Sequence, residues 1–404
     1  MSSNGTRSVR DAPVLVAGAG IGGLATALAL AQHNIASHIF ERKTSPSEEG
    51  AGIQIGPNGV RILRRLGVAD ALAAHTSSPD ALRVMDGLSG RELTALPLGR
   101  AIEQRHGAPY WTAHRADLHA ALMQAATTNP LITLSLGSDV QSAASDATRA
   151  SATLSDGTQQ YGSVLIVAGG QWSHLRQTVF KCAPLQHSAK NAYRAVIPAQ
   201  SLPGGLSKTS THIWFSPSAH VVHYPVRGGQ DIAIVAVLDG IKLSPSWGIE
   251  IAAPALQSHF LHATDALQKL IRQPASWRGW PLMVSPDQSS WVEGRIALLG
   301  DAAHPILPFL AQGAVMALED AVTLAAKLAH APGAPEQALA AYALARKPRR
   351  TRVAAASERN GKTYHLQGVM ALARNTVLRS VAPLRLLARY DWLYGWRIDE
   401  NDAI

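Results

Sequence analysis

A chain of 404 residues that is 47% hydrophobic buries a large core and has room for two or three domains, and its one cysteine, Cys182, excludes an intramolecular disulfide and a cysteine metal cluster. The 37 Lys and Arg exceed the 28 Asp and Glu to give a net charge of +9. These basic residues are scattered through helical patterns such as RILRRLG and ARKPRRTR, with no aromatic-interleaved stripe and no zinc-finger spacing, so the charge is read as attraction for a dinucleotide or an acidic small substrate and not for nucleic acid.

From the amino end, MSSNGTRSVRDAP is polar and carries no signal-peptide core, and no later segment reaches about eighteen uncharged apolar residues. A cytoplasmic location without stable membrane association is expected. Residues 13–42, PVLVAGAGIGGLATALALAQHNIASHIFER, read as strand, glycine turn, helix and second strand. Gly18, Gly20 and Gly23 satisfy G-x-G-x-x-G between strand and helix: the first for the tight turn, the second for close approach of a pyrophosphate, the third for helix–strand packing. The helix start at Ile21 and Gly22 supplies amides for phosphates. Glu41, beside Arg42, suits a ribose diol. The motif alone leaves FAD and NAD open.

GAGIQIGPNGVRILRRLGV follows, with a helix opening at about Pro57, then a polar region, a helix around HRADLHAALMQAA and the strand SVLIVAGG near residue 165. From about 186 to 284 the texture alternates, most clearly in HIWFSPSAHVVHYPVRGGQDIAIVAVLDG, which predicts an antiparallel sheet. Alternation puts His220, Val222 and Tyr224 on one face and Val221 and His223 on the other. GRIALLGD restores the buried-strand texture, a helix starts near Gln312, and the remaining helices are expected to break at Pro332, Pro335, Pro348 and Pro383. The fold class is therefore α/β: a Rossmann-like nucleotide domain (11–185 and 285–330) interrupted by a β-rich substrate domain (186–284) and followed by C-terminal helices (331–404). A chain that leaves its first βαβ unit for a glycine loop and a β-rich insertion favours a flavin over a nicotinamide fold.

DAAHPILPFLAQ lies between a strand's carboxyl end and a helix's amino end, where ligands bind in open α/β folds. Asp301 there suits polyol hydroxyls, and the amides around Gln312 and Gly313 aim a positive dipole at a developing anion.

GDAAHPILPFLAQGAVMALEDA, together with the glycine motif and Glu41, GAGIQIGPNGVRIL, HRADLH, the strand before WSHLR, AHVVHYPVRGG and YDWLYGW, closely resembles the single-component flavin monooxygenases of the salicylate hydroxylase and 3-hydroxybenzoate 6-hydroxylase type, over almost the whole chain. The resemblance implies FAD as cofactor, NADH or NADPH as co-substrate, and oxygen transfer from a flavin C4a-hydroperoxide to a small phenolic or aromatic carboxylic acid. It implies that Asp301 binds the ribityl chain, that Pro305 sits beside the flavin ring, and that the amides of Gln312, Gly313 and Ala314 face flavin N1 and O2. Arg115 then flanks FAD. His220 and Tyr224 line the substrate pocket and take or polarise the phenolic proton, with Gln312 also bonding substrate, while His304 has a positioning role. No metal is expected, since His212, His220 and His223 have no acidic partner at ligand spacing.

YDWLYGW at 390–396 reads as helix packing or a subunit contact, the latter in a homodimer, and not as a pocket wall. Two positions depart from the family pattern. Gly169 stands where an aspartate tied to the pyrophosphate region and to pyridine-nucleotide coupling is usual, and Val315 where an asparagine is common, so FAD binding is more firmly implied than reduction by NAD(P)H. The alternatives are a same-fold flavoprotein with another oxidation chemistry and a non-catalytic flavin-binding sensor.

Overall fold

The computed structural model describes residues 12–45, 51–240, 243, 248–286 and 290–398. Most of the polar start, including residue 11, Gly50 of GAGIQIG and residues 399–404 lie outside the described residues. Strands Val14–Ala17 and Leu165–Val167 are buried along their whole length, as continuous apolar runs are when helices cover both faces of a parallel sheet. They pair in parallel within a six-stranded sheet of order Val292–Glu293, Ile296–Leu298, Leu165–Val167, Val14–Ala17, Ser37–Glu41, Ile132–Leu136. Only the edge pair of Val292–Glu293 with Ile296–Leu298 is antiparallel. Leu165 lies opposite Ile296 and Val167 opposite Leu298, so the chain returns to its first sheet after the β-rich segment. Helix Ile21–Ala31 packs along helix Gly313–His330. Gly22 faces that contact: a Cβ there would stand 2.8 Å from Leu299 Cδ2 and 3.4 Å from Ala317 Cβ of the second helix.

The alternating segment folds into an eight-stranded sheet ordered Ile249–Ala252, Ser276–Val284, Gln186–Pro198, Asp231–Asp239, Ala219–Val226, Thr211–Ser216, Ala81–Asp86, Glu92–Pro97. The last two strands come from what sequence reads as a polar region. They join by burying Ala81 and Val84 of ALRVMD and Leu93 and Leu96 of ELTALP, with Ala81–Asp86 parallel to Thr211–Ser216. His220 lies opposite Phe215 on one side and Val237 on the other. Val221 belongs to the core of the far face, with Trp214 and Ile234, while Val222 and Tyr224 pack on the near face, as the alternation predicts.

The expected break at Pro348 does not occur: Pro335–Tyr364 is one helix of 30 residues. Proline removes the hydrogen bond to the carbonyl four residues earlier. That residue, Leu344, is 76% exposed, which leaves its carbonyl to water, and the neighbouring Arg346 and Arg349 are tied to Glu319 and Asp320. No described helix is long and apolar enough to cross a membrane.

Candidate active site

At Gly18 the backbone has φ +111°, and a Cβ would stand 2.8 Å from Ala168 O; at Gly23 a Cβ would stand 1.9 Å from Gly18 O. Close packing thus requires both glycines. Gly20 has nothing within 4 Å of its missing Cβ and opens on a cleft also lined by Ile21 and Gly22. Helix Ile21–Ala31 has no side-chain cap and no acid in its first turn, so its leading amides are donors for an anion. Glu41 accepts from Ala19 N at 2.8 Å and Lys43 N at 3.0 Å, and His119 Nε2 lies 2.7 Å from Ala19 O. The peptide beside the cleft is therefore held at both ends. Glu41, Arg42, Arg115, Gly169 and Gly170 also line the cleft. This open glycine face, uncapped helix and strand-end acid fit a dinucleotide.

The short turn Gly300–Ala302 brings Asp301 into the same cleft. Desolvation by the surrounding walls raises its carboxyl pKa, against the pull of His304 and Arg115. Beneath the turn, Asp320 accepts from Gly300 N at 3.1 Å, pairs with His304 Nε2 at 2.6 Å and accepts from Arg346 Nε at 2.6 Å. Arg346 continues to Glu319 at 2.9 Å, which also holds Arg349 and accepts from Asn58 Nδ2 at 2.8 Å. Asn58 donates a second bond to Gln312 Oε1 at 3.0 Å. One buried network thus anchors the Asp301 turn and the start of helix Gly313–His330, and His304 works as an anchor within it. Gly313 and Ala314 line the cleft, and their helix likewise starts without a side-chain cap or an early acid.

Burial alone raises the Asp320 carboxyl, but His304 and Arg346 bring it from 3.8 to about 2. A depressed carboxylate stabilises the fold above its ordinary pKa and loses that contribution as pH falls. Asp320→Asn is therefore expected to cost about 3–5 kcal/mol at neutral pH, the range for breaking a buried ion pair, with the difference shrinking as pH falls from about 4 towards 2. Urea unfolding checks this; an unchanged midpoint at neutral pH contradicts it.

A second cavity, of about 460 Å³, adjoins the same loop: Pro308 to Ala311 face it, and Gly313 and Ala314 face the cleft. Ile213, Phe215 and Val222 make its sheet wall apolar, and Gln54, Tyr110 and His220 supply polar groups. Tyr110 donates to Gln54 Oε1 at 2.6 Å. Burial, with the charges of His365 and Lys190, holds His220 well below the ordinary imidazole range, so it is neutral. Tyr224 shares its face but does not line the cavity. Its hydroxyl bonds the Gln54 side chain, and burial pushes it up to about 12, against Arg194 and Gln54. His220 thus touches the cavity, and Tyr224 reaches it through Gln54.

Not every expected contact is made by a side chain. Pro305 is buried just after the turn Gly300–Ala302, and Gln312, its side chain committed to Asn58, lines neither the cleft nor the cavity. Val315 packs in the core, where a Cβ on Gly59 would stand 2.9 Å from its Cγ2, so its lack of polarity removes nothing from the cleft wall. The reading of YDWLYGW is corrected: Tyr390, Trp392 and Tyr394 line the cavity. Arg61 donates at 2.6 Å to Tyr394 O and Trp396 O, and Arg349 at 2.8 Å to Trp392 O, which holds the run against the cavity. Sequence reasoning also gave no role to Gln54 and Tyr110; the one signal was a glutamine inside the apolar strand GIQI.

The family described as FAD binding domain matches residues 11–357. The chain is 35% identical over 383 residues to 3-hydroxybenzoate 6-hydroxylase 1 of Aquipseudomonas alcaligenes, covering 95% of this chain and 97% of that one. It is 34% identical over 395 residues to 3-amino-4-hydroxybenzoate 2-monooxygenase of Streptomyces cremeus, covering 98% of each. A salicylate hydroxylase in its substrate complex superposes with a TM-score of 0.82 over 98% of both chains at 24% identity, a likeness of fold.

Proposed function

The chain belongs to the FAD-dependent aromatic monooxygenases, and on that premise we propose that it hydroxylates a small phenolic carboxylic acid held in the cavity beside His220. FAD, once reduced by NAD(P)H, supplies the activation of O2 and the transfer of one oxygen atom to the ring. The chain's part is to hold and orient. Gly20 and the leading amides at Ile21 and Gly22 would cradle the pyrophosphate on the turn that Gly18 and Gly23 close, Glu41 would take the ribose diol, and Arg42 and Arg115 would line the wall beside them. Asp301 holds the sugar chain, and the helix start at Gln312, Gly313 and Ala314 presents a positive dipole end to the flavin ring near Pro305.

The adjacency of cavity and cleft across residues 308–314 carries this reading. Among the described residues of the cavity wall there is no carboxylate and one imidazole, His220, and burial keeps Tyr110 and Tyr364 protonated. His220 is therefore the group that accepts the phenolic proton, which enriches the ring for attack. Tyr224 positions Gln54. Arg359 and Arg389, exposed members of the wall, favour a carboxylate at the mouth. The purified holoenzyme is expected to oxidise NADH or NADPH faster with at least one phenolic acid of a broad panel, yielding its hydroxylated product. No stimulation across the panel contradicts the proposal.

A further inference from the structure

His220 Nδ1 lies 2.8 Å from His365 Nε2, and His365 Nδ1 lies 2.8 Å from Asp239 Oδ1. His220 and His365 are 3% and 8% exposed, whereas the Asp239 side chain is 32% exposed and paired with Lys190. Two buried imidazoles therefore lead from the cavity wall to a carboxylate in contact with water. The sheet builds this line: His220 lies opposite Val237, two residues before Asp239 and on the same face, and Lys190 lies opposite Asp239. His365, which follows helix Pro335–Tyr364, fills the gap between them, with the rings of Phe309 and Tyr364 edge-on to His220 at 5.5 and 5.3 Å.

We propose that His220, His365 and Asp239 form a proton relay that carries the substrate's phenolic proton from the cavity to solvent. This rests on the reading of the cavity as the substrate site. The carboxylate fixes the direction. Ionised Asp239 can only accept, so His365 Nδ1–H donates to it, His365 Nε2 accepts from His220 Nδ1–H, and the lone pair remains on His220 Nε2. Lys190 Nζ, 3.3 Å from His365 Nδ1, can only donate and so makes no bond to that N–H; it pairs with Asp239, whose oxygen is the nearer partner of Nδ1 at 2.8 Å.

In the step, the phenolic O–H breaks and its proton joins His220 Nε2, while the electron pair stays on the oxygen. The Nδ1 proton of His220 passes to His365 Nε2, and the Nδ1 proton of His365 passes to Asp239 and then to water. Nothing is oxidised or reduced. The relay resets when the product phenolate takes a proton back along the same path.

A lone base would not serve here. Burial disfavours a charged His220, and His365 and Lys190 add to the penalty. Burial also lowers His365, where Asp239 opposes and Lys190 and Arg374 reinforce the effect. The proton is therefore unstable on either ring and finds its counter-charge at the exposed carboxylate.

The test uses oxidised holoenzyme without pyridine nucleotide, so that nothing turns over, and a nitro-substituted hydroxybenzoate whose phenolate absorbs in the visible. His365→Gln keeps an acceptor for His220 and a donor for Asp239 but cannot pass a proton. Asp239→Asn, at the exposed end, asks the same question should the buried variant unfold. Both are expected to bind the probe yet ionise it on the order of tenfold or more slowly after an upward pH jump in stopped flow, with bound FAD unchanged. Ionisation at the parent rate in either folded variant overturns the relay alone. A parent enzyme that binds no phenolic probe overturns the cavity reading and the relay with it.

Discussion

Asp301→Ala is expected to purify largely stripped of FAD while remaining folded. Asp301 stands at the carboxyl end of the buried strand Ile296–Leu298, on a turn whose backbone is held from below by Asp320. Its own carboxylate is not spent on that support: it opens on the cleft beside Arg115 and the helix start at Gly313. Removing it leaves the turn in place and deletes an acceptor for the ligand's hydroxyls. A hydrogen bond to a charged group contributes about 1.5–3 kcal/mol, so FAD affinity should fall roughly 10- to 100-fold. The flavin-to-protein absorbance ratio after gel filtration, followed by FAD titration of the apoprotein, reads this. Asp320→Asn provides the contrast, with stability lost first. Full flavin retention in Asp301→Ala contradicts the assignment.

His220→Ala is expected to slow hydroxylation by about 10² to 10⁴, the range for removing a general acid–base group, and to leave the rate of flavin reduction by NAD(P)H nearly unchanged. The imidazole lies in the wall of the cavity and not in that of the nucleotide cleft, so the two steps should separate in rapid kinetics. Loss of product should accompany continued NAD(P)H oxidation with formation of hydrogen peroxide. Equal slowing of both steps argues against a substrate-side role. Tyr224→Phe, which keeps the ring but loses the bond to Gln54, should act more mildly.

What could be read from the sequence was what the chain writes locally. The turn from Gly18 to Gly23 is legible because its steric requirements fall within six consecutive residues: the close contact of Gly23 with Gly18 O is implied by spacing alone. The same holds for the strand–loop–helix around Asp301 and for the alternation that puts His220 and Tyr224 on one face. The cavity is legible only in part, because distant segments assemble it. His220 meets His365 across 145 positions, and nothing near HLQG marks that histidine as a partner. YDWLYGW was misread for the same reason. An aromatic run looks alike in a helix contact and in a wall, and it is the arginines at 61 and 349 that decide between them. Pro348 shows a local rule overridden, since its cost falls on an exposed carbonyl while its neighbours are locked in the ion network. Gly169 keeps its consequence: at that position the wall offers backbone in place of a carboxylate, and the acids that line the cleft are Glu41, Asp139 and Asp301.

This chain is expected to insert one atom of O2 into an aromatic acid bound beside His220. Turnover of the holoenzyme with its best phenolic acid under isotopically labelled O2 tests it most directly, with the product read by mass spectrometry. The expected product carries one labelled oxygen on the ring, in near-stoichiometric ratio to NAD(P)H consumed. A product whose new oxygen comes from water, or NAD(P)H consumption that ends only in hydrogen peroxide with every acid that binds, contradicts it.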